Sequence, residues 1–235
     1  MKLLAFETAT EACSVAVWVD GQVCERFQVA PRRHTELALP WAEALLAEAG
    51  IARAQLDAIA VGRGPGAFTG VRLAIGIAQG IALALDRPVL TVSTLAALAL
   101  RTDAPGRRLA AIDARMGEVY LGAFAPEADG LRALSVETVT KPELVEPLQG
   151  NDWYGVGTGF AAVDAALQQR LQGHLQGVDS SALPHAADVA RLAVQAYARG
   201  EAMAPERVEP AYLRNAVALT LAQQQALRKP ASAAV

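Results

Sequence analysis

The sequence predicts an α/β protein of two duplicated lobes, each a mixed sheet joined by crossover helices. Three observations predict it. The first half reads as strands and helices in the order βββαβαβα. The stretch LLAFETATEACSVAVW, residues 3–18, is matched by LAAIDARMGEVYLGAF, residues 109–124: an apolar strand ends in an acid, a short turn follows and a second strand begins. VGRG at 61–64 is answered by VGTG at 156–159, each at a strand end before a helical segment. Self-similarity of this kind means two like units. They are expected at 1–103 and 104–208, with a helix over 212–226 in a segment 209–226 that returns to the first lobe, and a flexible tail at 227–235.

The first element, residues 2–8, is an apolar run that reaches Glu7. Residues 13–19 and 22–29 flank Asp20-Gly21, a dipeptide suited to the two-residue hairpin turn. That turn sets Val17 opposite Cys24 and leaves Cys13 and Cys24 out of register for a disulfide. Residues 35–49 carry Leu37, Trp41, Leu45 and Leu46 at helical spacing, with Pro40 in a first turn or at a kink and Gly50 beyond the end. A strand at 58–61, a glycine loop, a helix at 69–85, a strand at 88–92 and a helix at 93–101 complete the half. The helix at 69–85 is apolar almost all round, so it must be covered on several sides. Its own sheet covers one. Gly76 and Gly80, one turn apart, leave a flat strip where another backbone can approach. The competing reading encloses this helix within its own lobe, and the partner-facing one is preferred.

Composition excludes several classes. The chain has 235 residues, 53% of them hydrophobic, and a net charge of −3 with its basic residues scattered. It lacks the footprint of a protein that grips nucleic acid by itself, so contact with RNA would run through a partner. Two unpaired thiols suit a reducing compartment. The apolar start is interrupted by Glu7, and the longest nearly apolar run, 73–85, contains Gln79 and is short for a bilayer. A cytoplasmic protein without a membrane segment is expected.

GRGPGAFTGVRLAIGIAQG, residues 62–80, has the look of a phosphate loop, but no Lys follows its glycines as a Walker loop requires. His34, His174 and His185 are too scattered for a paired metal motif, and no G-x-S-x-G elbow is present. No catalytic residue, metal or cofactor is therefore assigned. The cleft of such a protein lies at the carboxyl ends of its strands. Glu7, Thr8, Gly64, Asp113, Arg115, Gly157 and Gly159 are expected to line it as a degenerate nucleotide cleft. Glu7 is either the remnant of a phosphate-loop acid or an acceptor for the turn at 8–10. Arg115 either pairs with Asp113 or binds an anion. Arg63 and Arg72 beside the glycine loop meet phosphate, solvent or an interface.

The duplicated arrangement resembles the actin/Hsp70/sugar-kinase superfold, whose lobes are ribonuclease-H-like. More narrowly, ETATEACSVAVW (7–18), PRRHTELALP (31–40), GRGPGAFTGVRLAIGIAQGIAL (62–83), AAIDARMGEVY (110–120), VGTG (156–159) and EPAYLRN (209–215) are similar to the TsaB (YeaZ) family of the Gcp/Kae-related group. The resemblance implies a non-catalytic partner of TsaD, which transfers threonylcarbamoyl from threonylcarbamoyl-AMP to adenosine beside the anticodon of tRNA, with the ATPase TsaE supporting turnover. It implies that two helices of the first lobe form the interface, either to TsaD or to a second copy. The residues expected there are Leu37, Trp41, Leu45, Val71, Leu73, Gly76, Ile77, Gly80 and Leu83. An ATP-hydrolysing or phosphotransfer enzyme of the same superfold is the alternative. Where the family commonly opens I-D-T-[AS]-T, this chain has Phe6-Glu7-Thr8-Ala9-Thr10. The longer side chain displaces the carboxylate and weighs against a positioned metal-water ligand.

Overall fold

Asp20 and Gly21 both take positive φ, 46° and 98°, as a two-residue hairpin turn requires. They close β2 (Ala12–Val19) onto β3 (Gln22–Val29) with Val17 opposite Cys24. Both cysteines are free thiols, and burial pushes the Cys13 thiol up to about 11. The computed structural model describes residues 1–128 and 130–214. With β1 (Lys2–Glu7), β4 (Ala58–Gly62) and β5 (Val89–Val92), the hairpin forms a mixed sheet ordered β3-β2-β1-β4-β5.

A second sheet is built from β6 (Arg107–Arg115), β7 (Glu118–Glu127), β8 (Gly130–Ala133), β9 (Thr138–Thr140), β10 (Trp153–Val156) and β11 (Leu175–Asp179). Its order is β11-β10-β6-β7-β8, with β9 beside β7. Replacing β6, β7, β8, β10 and β11 by β1, β2, β3, β4 and β5 turns one order into the other. The antiparallel and parallel pairings also correspond, with β6 antiparallel to β7 and parallel to β10 as β1 is to β2 and β4.

Among the described residues five helices connect and cover the sheets: α1 (His34–Glu48), α2 (Phe68–Leu85), α3 (Thr94–Ala99), α4 (Ala162–Leu171) and α5 (Ala186–Ala198). Alternation sends Leu4, Phe6, Val15, Val17, Ile59 and Val61 to one face of the first sheet, where they pack with Ala38, Leu45, Val71, Ala74, Ile75 and Ala78 of α1 and α2. Leu3, Ala5, Ala16, Ala58, Ala60 and Leu90 face the other side and pack on Ala186, Val189, Ala190 and Ala193 of α5.

That last contact corrects the expected division, because α5 lies in the stretch assigned to the second lobe yet covers the first sheet. The exchange is mutual. Leu95, Leu98 and Ala99 of α3, expected to finish the first lobe, pack on Ala110, Ile112, Phe124 and Val156 of the second sheet. Each exchanged helix follows an outer strand of its own sheet, α3 after β5 and α5 after β11. The small side chains lining the inner face of the first sheet let the alanine-rich helix come close.

Residues of the first sheet also cap α5. The Ala186 amide donates to Ser14 Oγ at 2.8 Å and the Ala187 amide to Glu25 Oε1 at 3.0 Å. His185 Nδ1 lies 2.7 Å from the other Glu25 oxygen, with its ring stacked on Phe27. Burial pushes the Glu25 carboxyl up, but hydrogen bonds from His185, Ser14 and Ala187 outweigh it and hold the group below the ordinary carboxylate value. At the other end of the chain, Tyr212 to Arg214 are not helical, in contrast to the helix expected from residue 212; the rest of that helix and the tail at 227–235 lie outside the described residues.

Candidate functional site

Glu7 stands at the carboxyl end of β1, and the chain seals it in. It is 1% exposed; the Ala9 amide donates to Oε1 at 2.7 Å and the Thr94 hydroxyl to Oε2 at 2.9 Å. A Cβ added at Gly62 would sit 2.0 Å from Oε2, so only glycine fits beside this carboxyl. Burial outweighs the hydrogen bonds and raises its pKa to about 7.

The glycine loop lies directly on the turn that follows. Thr8 Oγ1 donates to the Gly70 carbonyl at 2.7 Å, and a Cβ at Gly70 would meet the Thr8 carbonyl at 2.0 Å. The Ala67 amide donates to the Ala9 carbonyl at 2.7 Å. Gly64, at φ +92°, donates its amide to Thr94 Oγ1 and accepts the Thr94 amide on its carbonyl. The glycines thus allow close backbone approach, and the Gly64 and Ala67 amides are bonded within the chain rather than presented to an anion. Glu7, Thr8 and Gly64 were expected to line the cleft; they are packed beneath it.

The cleft itself has a volume of about 880 Å³ and lies between Gly66–Leu73 of the first lobe, Asp113–Arg115 and Thr158 of the second, and residues 210–214. Asp113 accepts the Arg115 amide at 2.7 Å on one oxygen and the Arg115 guanidinium at 2.9 Å on the other. The arginine is 82% exposed, so this is a solvated ion pair at the rim. Gly157 and Gly159 also lie away from the cleft. A Cβ at Gly157 would approach the Ala111 carbonyl to 2.4 Å, and one at Gly159 would approach the Ala111 Cβ to 2.7 Å. They let the chain after β10 cross β6. Of the seven expected cleft residues, the structure leaves Asp113 and Arg115 on the wall.

His34 opens α1 with Nε2 3.0 Å from the Thr10 carbonyl and 3.2 Å from that of Ala12, which makes this nitrogen a donor. Among the described residues no group of three His, Cys, Asp or Glu is placed to hold a metal ion.

The second feature is the outer face of α1 and α2. Of the 18 residues of α2, six are buried: Gly70, Val71, Ala74, Ile75, Ala78 and Ala82. Gly76 and Gly80 are exposed with open space where a Cβ would point. Leu83 is 61% and Phe68 64% exposed, while Leu73 and Ile77 are half-buried. Beside them on α1, Leu39 is exposed and Leu37 and Trp41 are half-buried against the core. Leu45 and Val71, expected in the interface, are 1% and 5% exposed and belong to the lobe's own core. They fall on the helix faces turned toward the sheet.

Residues 28–221 match the family model described as TsaD, tRNA N6-adenosine threonylcarbamoyltransferase. The chain is 44% identical to the Escherichia coli tRNA threonylcarbamoyladenosine biosynthesis protein TsaB, covering 93% of this chain and 96% of that one. It is 38% identical to the Haemophilus influenzae protein of the same name, covering 92% and 95%. The chain belongs to the TsaB (YeaZ) family. The structure described as YeaZ from Pseudomonas aeruginosa superposes with a TM-score of 0.84 at 48% identity, over 90% of this chain and 99% of that one. The two mixed-sheet lobes accordingly have the actin/Hsp70/sugar-kinase-like fold of that family.

Several residues of this TsaB-family site escaped sequence reasoning. Thr94, which contacts both Glu7 and Gly64, is distant from both in sequence, and Thr158 lies on the cleft wall. Tyr212 and Arg214 stand in the quoted EPAYLRN block without any pattern that assigns them a contact. Phe68 preceded the helix as read from sequence; the structure places it as the first residue of α2.

Proposed function

We propose that this chain is a non-catalytic subunit that binds TsaD and supports its transfer of threonylcarbamoyl to tRNA. The observation that carries the proposal is α2. A helix with a mean hydropathy of 1.6 over 18 residues leaves an apolar stripe in the open, notched by two glycines with nothing above them. An exposed stripe of this kind favours a partner surface, and a helix packing across Gly76 and Gly80 would approach closely. The first-lobe helices α1 and α2 would serve TsaD or a second copy through the same residues, with Leu37, Trp41, Leu73, Gly76, Ile77, Gly80 and Leu83 at the contact. TsaE would join the assembled complex, and tRNA would be reached indirectly. The sealing of Glu7 supports this reading over phosphotransfer, since a metal-water ligand at the nucleotide needs an accessible carboxylate.

The test is reconstitution of tRNA modification from TsaD, TsaE and a source of threonylcarbamoyl-AMP, with and without this chain. Modification should require the chain, and the chain alone should transfer nothing. Leu83→Glu, which places a charge on an exposed position, should weaken association with TsaD at least about tenfold without lowering the melting temperature. Full modification in the absence of the chain would reject the proposal.

A further inference from the structure

Residues 205–214 leave α5 behind and cross from one lobe to the other. Gln79 of α2 donates to the Pro205 carbonyl at 2.8 Å, and Val208 is buried in the core beneath α1 and α2. The Ala211 amide donates to the Arg63 carbonyl at 2.8 Å. The Arg72 guanidinium lies between the rings of Phe68 and Tyr212, 3.2 Å and 4.9 Å from their centres, and bonds the Tyr212 hydroxyl. Two residues beyond Tyr212, the segment reaches the second lobe: Arg214 donates to the Ala114 carbonyl at 3.2 Å and to Glu118, and stands 3.7 Å from Met116 Sδ. Those partners all belong to the hairpin of β6 and β7, whose tip residues Arg115, Met116 and Gly117 are all at positive φ.

The path of this segment divides the space between the lobes. Pro210 to Leu213 line both the 880 Å³ cleft and a second cavity of about 630 Å³ bounded by Ser93, Phe124, Leu131, Val136 and Leu192. Lobes joined at the base and open at the mouth move by hinge closure about a ligand. Here α3 and α5 join the base, and the chain's own residues span the mouth.

We infer that residues 205–214 form an intramolecular latch, anchored on the first lobe by Val208 in the core beneath α1 and α2, Ala211 on the loop after β4 and Tyr212 on α2, and on the β6–β7 hairpin by Arg214, that holds the two lobes at a fixed separation. It takes the place between the lobes where a bound ligand would bridge them. The guanidinium of Arg214 is the one side chain of the latch bonded to the second lobe among the described residues, so the closed state depends on it. The inference does not rest on the proposed function.

The experiment measures the distance between spin labels at Leu39→Cys on α1 and Leu144→Cys in the second lobe, in the full chain with the exposed Cys24 changed to Ser. The parent latch should give one narrow distribution. Arg214→Ala combined with Tyr212→Ala should add a longer-distance population, rising from below detection to about 10% or more. Arg214→Lys keeps the charge opposite Glu118 but loses the fork that also reaches the Ala114 carbonyl, and should give a smaller long-distance population. Identical narrow distributions in the parent and both variants, each with an unchanged circular dichroism spectrum, would overturn the latch.

Discussion

The two lobes share a sheet and differ in what connects its strands. In the first, β3 passes to β4 through the 15-residue α1, and β4 to β5 through the 18-residue α2. In the second, the corresponding connections are a short strand with a 3-10 turn, and the ten-residue α4, whose second to fourth residues, Val163, Asp164 and Ala165, are in the left-handed region. Identical strand orders with such unequal connections show that two long helices, one of them strongly apolar, are not needed to close this kind of sheet. The buried faces of α1 and α2 complete the core of the first lobe, and their exposed faces carry the proposed partner surface. The lobes also differ in two acids at matching positions, Glu7 being sealed and Asp113 paired at a solvated rim.

The largest effect that would sharpen this comparison is at Gly157, at φ +109° with the Ala111 carbonyl in the path of any side chain. Gly157→Ala should destabilise the protein by about 3–4 kcal/mol in denaturant unfolding. A loss below about 1 kcal/mol would break the view that the second lobe depends on that close crossing.

Next is Glu7. Its folded-state pKa of about 7 lies above the ordinary 4.5, so its contribution to stability is fully present below about 4.5 and is lost as pH rises through 7. Glu7→Gln keeps an oxygen toward the Ala9 amide and an amide toward Thr94. It should remove this slope and be more stable than the parent by about 3 kcal/mol well above pH 7. Asp113→Asn, at the matching position of the second lobe, should show no such gain. Parallel stability curves for Glu7→Gln and the parent across this range would contradict the sealed-acid account.

The smallest effect is at α2. Gly76→Ala fills open space on a helix, so it should stabilise the isolated chain by about 0.5–1 kcal/mol. If the partner surface is correctly placed, the same change should weaken association with TsaD, measured by ultracentrifugation, because the added methyl group holds the two backbones apart. Stabilisation with unaltered association would remove Gly76 from the interface.

By itself the sequence determined the hairpin register, the duplication and the order of elements in the first lobe, because these depend on short-range rules. Asp20-Gly21 admits the left-handed turn, alternating residues choose opposite faces of a strand, and the acid-bearing strand recurs with its turn. It also marked α2 as a helix too apolar to be exposed all round. Only the tertiary structure decided that α3 and α5 exchange sheets, that Leu45 and Val71 face inward, and that Glu7, Gly64, Gly157 and Gly159 are packed away from the cleft. Periodicity states that a helix has an apolar side but not which sheet will cover it, and a glycine states that backbone can come close but not which backbone. Those outcomes depend on contacts between residues far apart in sequence, such as Glu7 with Thr94, Ser14 with Ala186 and Glu118 with Arg214, which exist only once the chain has closed on itself.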